Sequence, residues 1–172
     1  MAVLADGVSR VYRPLPGRAE NPIQLHGRYS RAEILAAFNH GSGARTMSWR
    51  EGVLDVPDER ADLFAITLDK TVGSFSPTTR YRDYATSPRL IHWESQSATR
   101  SDSPTGLRYQ HHESLERDVI LFARLRVSDR SFWCLGPARY QSHTGEMPMA
   151  INWKLEFPLP GDLFADFAVA AA

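Results

Sequence analysis

The spacing of apolar positions along the chain changes character near residue 50. Before that point a helical period holds: Ile34, Leu35 and Phe38 form one stripe, and His40-Gly-Ser-Gly stops it. Ser30 with Glu33 makes a capping box, with Tyr29 and Ile34 at the staple positions, so the pattern predicts a short helix from Ser30 to near Asn39. Residues 1–28, with scattered Pro, Gly and Arg, read as an N-terminal arm or extension. Residues 29–172 read as a single globular domain.

Beyond residue 50 the period becomes two. Candidate strands are Gly52 to Val56, Asp62 to Leu68, Arg89 to Ser95, Asp118 to Val127, Ser131 to Leu135 and Ala150 to Leu155. In DVILFARLRV one face carries Val119, Leu121, Ala123, Leu125 and Val127. The other turns polar at Arg124 and Arg126, which predicts a half-buried strand. Hairpin turns are expected at Val127-Ser-Asp-Arg-Ser-Phe132 and at His143-Thr-Gly-Glu. Ser103-Pro104 opens a short helix reaching toward Glu116, and a last helix from about Asp162 would pack Leu163, Phe164 and Phe167. The expected fold is α+β: a curved, mostly antiparallel sheet or small β-barrel of the PUA or SRA kind, with two or three short helices. No alternation of strand and long helix points to a doubly wound sheet.

Composition narrows the class. At 172 residues with 42% hydrophobic and 23% charged positions, the chain can bury an ordinary core. No apolar run approaches the roughly 18 residues of a membrane span, and the first residues make a poor signal peptide. A cytoplasmic location is expected. The single Cys134, between Trp133 and Leu135, reads as a buried structural thiol. Twenty basic and twenty acidic residues balance, which argues against coating nucleic acid by bulk charge. The basic set is eighteen arginines and two lysines, a bias explained either by genome composition or by bidentate recognition of phosphate and base edges.

Candidate chemistry concentrates between Phe75 and His112. That stretch holds two Ser-Pro-Thr triplets, five arginines, four tyrosine or tryptophan rings and three histidines. His111 and His112 are neighbours, so they cannot easily share a metal; a single histidine, His111, contacting a phosphate or base edge fits better. Ser95 or Ser97 with His111 and Asp118 has no supporting nucleophile signature, and no cofactor or metal is expected. Trp93 is either core or a stacking plate that leads into Ser95-Gln96-Ser97.

Several blocks in order now carry a resemblance: YSRAEILAAF, REGV, DLFAITLDK, FSPTTRYRDYATSP, LIHWESQSATRSDSPTGLRY and CLGPARYQSHTGEMPMAINWKLEFPLP. From about Tyr29 to Phe164 the chain resembles the family known as domain of unknown function 3427. Such domains are usually found C-terminal to bacterial DEAD/DEAH-box helicases with phospholipase-D-type nuclease domains. The resemblance implies a target-recognition module that binds DNA, reading modified bases in a restriction or phage-defence system with a helicase or nuclease partner. A module that docks such a partner is the alternative, and a hydrolase acting on nucleic acid is a third. On the recognition reading, Trp93 and Tyr81 or Tyr84 stack a base. Gln96, Ser95 and Ser97 bond its edge, while Arg80, Arg89, Arg100 and Arg108 hold phosphates.

Overall fold

A computed structural model describes residues 9–10, 12–38, 49–69 and 83–169. In chain order the elements are β1 Arg28–Ser30, α1 Arg31–Phe38, β2 Val53–Val56, β3 Ala61–Asp69, β4 Tyr84–Ser87 and β5 Leu90–Glu94. There follow α2 Pro104–Gln110, β6 Asp118–Arg126, β7 Ser131–Thr144, β8 Ala150–Leu155 and α3 Gly161–Val169. The strands join in one eight-stranded sheet of order β2-β3-β6-β7-β8-β5-β4, with β1 paired to the first residues of β7. Every pairing is antiparallel except β3 with β6. The fold is α+β as expected. The sheet is open, with β2 and β4 at its ends, and this excludes the barrel alternative.

The predicted helix starts are observed. Ser30 N–H donates to Glu33 Oε2 at 2.7 Å and Glu33 N–H to Ser30 Oγ at 3.3 Å, which is the capping box. Ser103 Oγ accepts from Gly106 N–H at 3.1 Å and caps α2, with Pro104 in the first turn. Helix α2 ends at Gln110, and only turns continue to Glu116.

Two hydrophobic cores lie on opposite faces of the sheet. One joins Phe64, Ile66, Trp93, Tyr109, Val119, Leu121 and Trp153 with Leu163 and Phe167 of α3. The other joins Ile34 and Phe38 of α1 with Leu63, Ile120, Phe122, Phe132 and Cys134. Strands β3 and β6 therefore bury both faces, as the nearly continuous apolar runs of parallel strands commonly do. This corrects the half-buried reading of β6, whose polar face is confined to its last residues. In the N-terminal segment Leu15 and Ile23 are fully buried in the α1-side core, so the described part of residues 1–28 packs against the sheet.

Curvature follows from one distance. Neighbouring strands stand roughly 4.8 Å apart, so the four steps from β3 to β5 would separate them by about 19 Å in a flat sheet. Yet Phe64 of β3 and Trp93 of β5 meet with ring centroids 4.8 Å apart in an edge-on contact. The sheet thus curls around the core that carries α2 and α3, and its two ends approach one another.

Candidate functional site

Where the curled sheet stops short of closing, it leaves a cleft of about 270 Å³. Gly52, Val53, Ala65, Ile66 and Thr67 line it from the β2–β3 end, and Asp83, Trp93, Glu94 and Gln96 from the β4–β5 end. Gln96 spans the opening, its Nε2 donating to Glu51 Oε2 at 2.6 Å. Arg31, the first residue of α1, and Arg124 of β6 complete the wall with Val127.

The cleft carries both charges, the guanidiniums of Arg31 and Arg124 and, on the β4–β5 wall, the carboxylates of Asp83 and Glu94. Arg31 sits 5.7 Å from the Trp49 ring centroid and 5.5 Å from that of Phe132. Its Nε is buried without a hydrogen-bond partner. Arg124 lies 4.6 Å over Phe132, donates from Nε to Thr67 Oγ1 at 2.9 Å and from Nη1 to the Asp129 carbonyl at 2.6 Å. Among the described residues neither reaches a carboxylate within ion-pair distance. Burial pulls the Arg31 pKa below its ordinary value. Burial, then repulsion from Arg31, does the same to Arg124. Arginine stays charged regardless. The cleft therefore presents two partly desolvated cations on one side and the Asp83 and Glu94 carboxylates on the other, a mixed lining that suits a polar edge bearing both acceptors and donors.

The residues expected to bind are dispersed. Trp93 is 5% exposed and packs edge-on against both Phe64 and Tyr109, so only its rim reaches the cleft. The stacking-plate role is thereby corrected: β5 alternates, and Ile91, Trp93 and Ser95 share the buried face. Ser95 Oγ accepts from Met149 N–H and donates to the Gln96 carbonyl, which commits it to the backbone. Gln96 alone of the predicted edge-readers both lines the cleft and is exposed; Ser97 follows it in the chain and is exposed too, but does not line the cleft.

Tyr84 stacks on His92, centroids 4.8 Å apart, and His92 Nδ1 lies 3.2 Å from Asn152 Oδ1. Because Tyr84 pairs with His92 across β4 and β5, it lies on the face opposite Trp93. Arg108 is engaged inside the fold. Its Nε and Nη2 bind the fully buried carboxylate of Asp62 at 3.0–3.1 Å. Arg100 pairs with Asp102 at 3.0 Å, and Arg89 donates to the Glu156 carbonyl at 2.8 Å. Tyr81 and Arg80 lie outside the described residues.

The histidine pair divides as well. His111 is exposed, and its N–H closes α2 on the Leu107 carbonyl. His112 is buried, with Nε2 accepting from Tyr140 N–H at 3.1 Å and Nδ1 at 3.0 Å from the Arg117 carbonyl. A backbone N–H can only donate, so the proton sits on Nδ1 and both nitrogens are occupied. Among the described residues no group of three His, Cys, Asp or Glu is placed to hold a metal ion.

Sequence reasoning does not single out Arg31 and Arg124. Arg31 stands at a helix start, and Arg124 has the placement of a solvent-facing strand residue. The one detectable signal is that Arg124 interrupts an otherwise apolar run. A family described as a domain of unknown function (DUF3427) matches residues 23–167. No curated protein matches the chain.

Proposed function

The chain belongs to the DUF3427 family, and we propose that it is a target-recognition module that takes the edge of a nucleic-acid base into the cleft at the open seam of its sheet. The carrying observation is the pair Arg31 and Arg124, held against rings and without carboxylate partners among the described residues. Guanidinium forks match carbonyl and ring-nitrogen acceptors on base edges, and Gln96 at the opposite wall adds an amide. The volume lies just below the roughly 300–1,000 Å³ of ordinary ligand pockets, which suits one base-sized group rather than a dinucleotide. Taking a base out of the stack costs a few kcal/mol that contacts in the site must offset, so a group added to the base edge can shift the balance through those contacts. Its setting on this reading is a bacterial restriction or phage-defence system, with a helicase or nuclease supplying the catalysis. The family resemblance supports that setting.

The reading is tested by fluorescence polarisation with duplexes carrying cytosine, 5-methylcytosine or 5-hydroxymethylcytosine at one position. One modified duplex should bind tightest. Arg31→Gln and Arg124→Gln should each remove roughly 1–3 kcal/mol of that preference. Equal weak binding to all duplexes, abolished at moderate salt and indifferent to both substitutions, would sink it.

A further inference from the structure

Four guanidiniums gather on two consecutive rings at the start of β7. Arg10 and Arg28 lie over Trp133, 4.5 and 4.8 Å from its centroid, while Arg31 and Arg124 lie over Phe132. Neighbouring strand residues face opposite sides of a sheet, so the row of Arg10 and Arg28 lies on one face and Arg31 with Arg124 on the other. Arg13 prolongs the row, 4.1 Å over the Phe157 ring. Each head group is thus held by a ring.

The row is under-compensated. Asp162 pairs with Arg10 at 2.5 Å, but Arg13 and Arg28 have no carboxylate within ion-pair distance among the described residues. The positive field registers on a neighbour: burial first, and then the charges of Arg10 and Arg13, lower the pKa of the buried His26, with Asp162 opposing. Several arginines elsewhere in the fold are neutralised, as in Arg18 with Glu59 and Asp118, or Arg117 with Asp55. Cations fixed on rings and left without counter-charges are suited to an external chain of anions.

We propose that Arg13 and Arg28, with Arg10 beside them, form a track for the phosphodiester backbone of a nucleic acid. A repeating anion fits a row of fixed cations, whereas a single small anion would engage only one. The proposal deepens the recognition reading and rests on it for the identity of the polyanion. It also moves the phosphate contacts from Arg89, Arg100 and Arg108 to the N-terminal segment and β1.

The test is the salt dependence of affinity for a short unmodified duplex. Each phosphate contact contributes about −0.9 to the slope of log K against log salt. The double variant Arg13→Gln/Arg28→Gln should therefore flatten the slope by about 1.8. Arg13→Lys/Arg28→Lys, which keeps the charge, should leave it near wild type, and Arg139→Gln on the other half of β7 should not change it. A wild-type slope in a double Gln variant whose melting temperature is also unchanged would overturn the track. So would an equal flattening by Arg139→Gln. The two readings fail separately. If only the base reading is wrong, Arg31→Gln leaves discrimination between duplexes untouched while the double variant still flattens the slope. Wild-type protein that binds no duplex at all overturns both.

Discussion

Arg108→Gln tests whether this arginine holds α2 on the sheet or serves a ligand. Its Nε and Nη2 lie within 3.0–3.1 Å of Asp62, a carboxylate with no solvent exposure. The substitution leaves that carboxylate with Arg117 Nε at 3.6 Å as its remaining cation. Stripping one partner from a buried pair costs about 3–5 kcal/mol. The residual Arg117 contact and the 23% exposure of the Arg108 side chain place the loss near the lower figure, at about 3 kcal/mol. For a chain of this size that corresponds to roughly 6–12 °C in melting temperature.

The pH dependence has a definite sign. Burial raises the Asp62 pKa above 3.8, and the hydrogen bond and charge of Arg108 oppose the rise. Removing Arg108 lifts it further. A carboxylate whose folded pKa is raised contributes most at low pH and loses that contribution as pH rises through the folded value. The deficit of Arg108→Gln should therefore be largest near neutrality and shrink on acidification toward 3.8. Asp62→Asn added to Arg108→Gln should restore part of the loss, because no buried charge remains. Urea unfolding followed by circular dichroism at several pH values measures all of this. A loss below about 0.5 kcal/mol, or a deficit that grows on acidification, refutes the reasoning. Weakened DNA binding without a stability loss would return Arg108 to the phosphate-binding role.

Gly106→Ala would place a Cβ 2.0 Å from the Arg100 carbonyl oxygen, a backbone atom that cannot swing aside. It should cost at least about 2 kcal/mol, read as a lower urea midpoint. Cys134 is fully buried and its thiol pKa is pushed up to about 12 by desolvation, so Ellman's reagent at pH 8 should label it only with denaturant present; rapid native labelling contradicts this. The Ser30 hydrogen bonds lower the Glu33 pKa, so the stability margin over Glu33→Gln should be full above pH 4.5 and vanish as pH falls through the folded value. A margin independent of pH would deny the capping box its role in solution.

Local chemistry is readable in the sequence, and pairing is not. The Ser30–Glu33 and Ser103 caps act within three residues, and both are visible in the bare chain. Strand β4, YATS, escapes because its Ser and Thr, followed by Pro88, read as turn residues. It is an end strand paired only with β5, where polar composition is tolerated. β7 runs to Thr144 rather than stopping at Leu135, since Gly136-Pro137 has the composition of a break. In the fold Gly136 takes φ +86° opposite the register shift at Leu121/Phe122, and the strand continues through that bulge. Trp93 is undecidable from alternation alone, because alternation shows that two faces differ and not which one a distant Phe64 covers.

The same long-range pairing hides the cleft from sequence reasoning. Its two walls lie at opposite ends of the strand order, and only the curl of the sheet brings them together. That curl depends on β3 lying parallel to β6 with both faces covered, so that Phe64 meets Trp93, Tyr109 and Trp153 from β5, α2 and β8. Edge-on ring pairs of this kind add about 0.5–1.5 kcal/mol each beyond the area they bury. The ring cluster thus sets the width of the opening that Gln96 spans, which makes Trp93 a positioning residue. On this logic Trp93→Leu should lower stability and also weaken any ligand held by Arg31 and Arg124, although the indole face never touches that ligand.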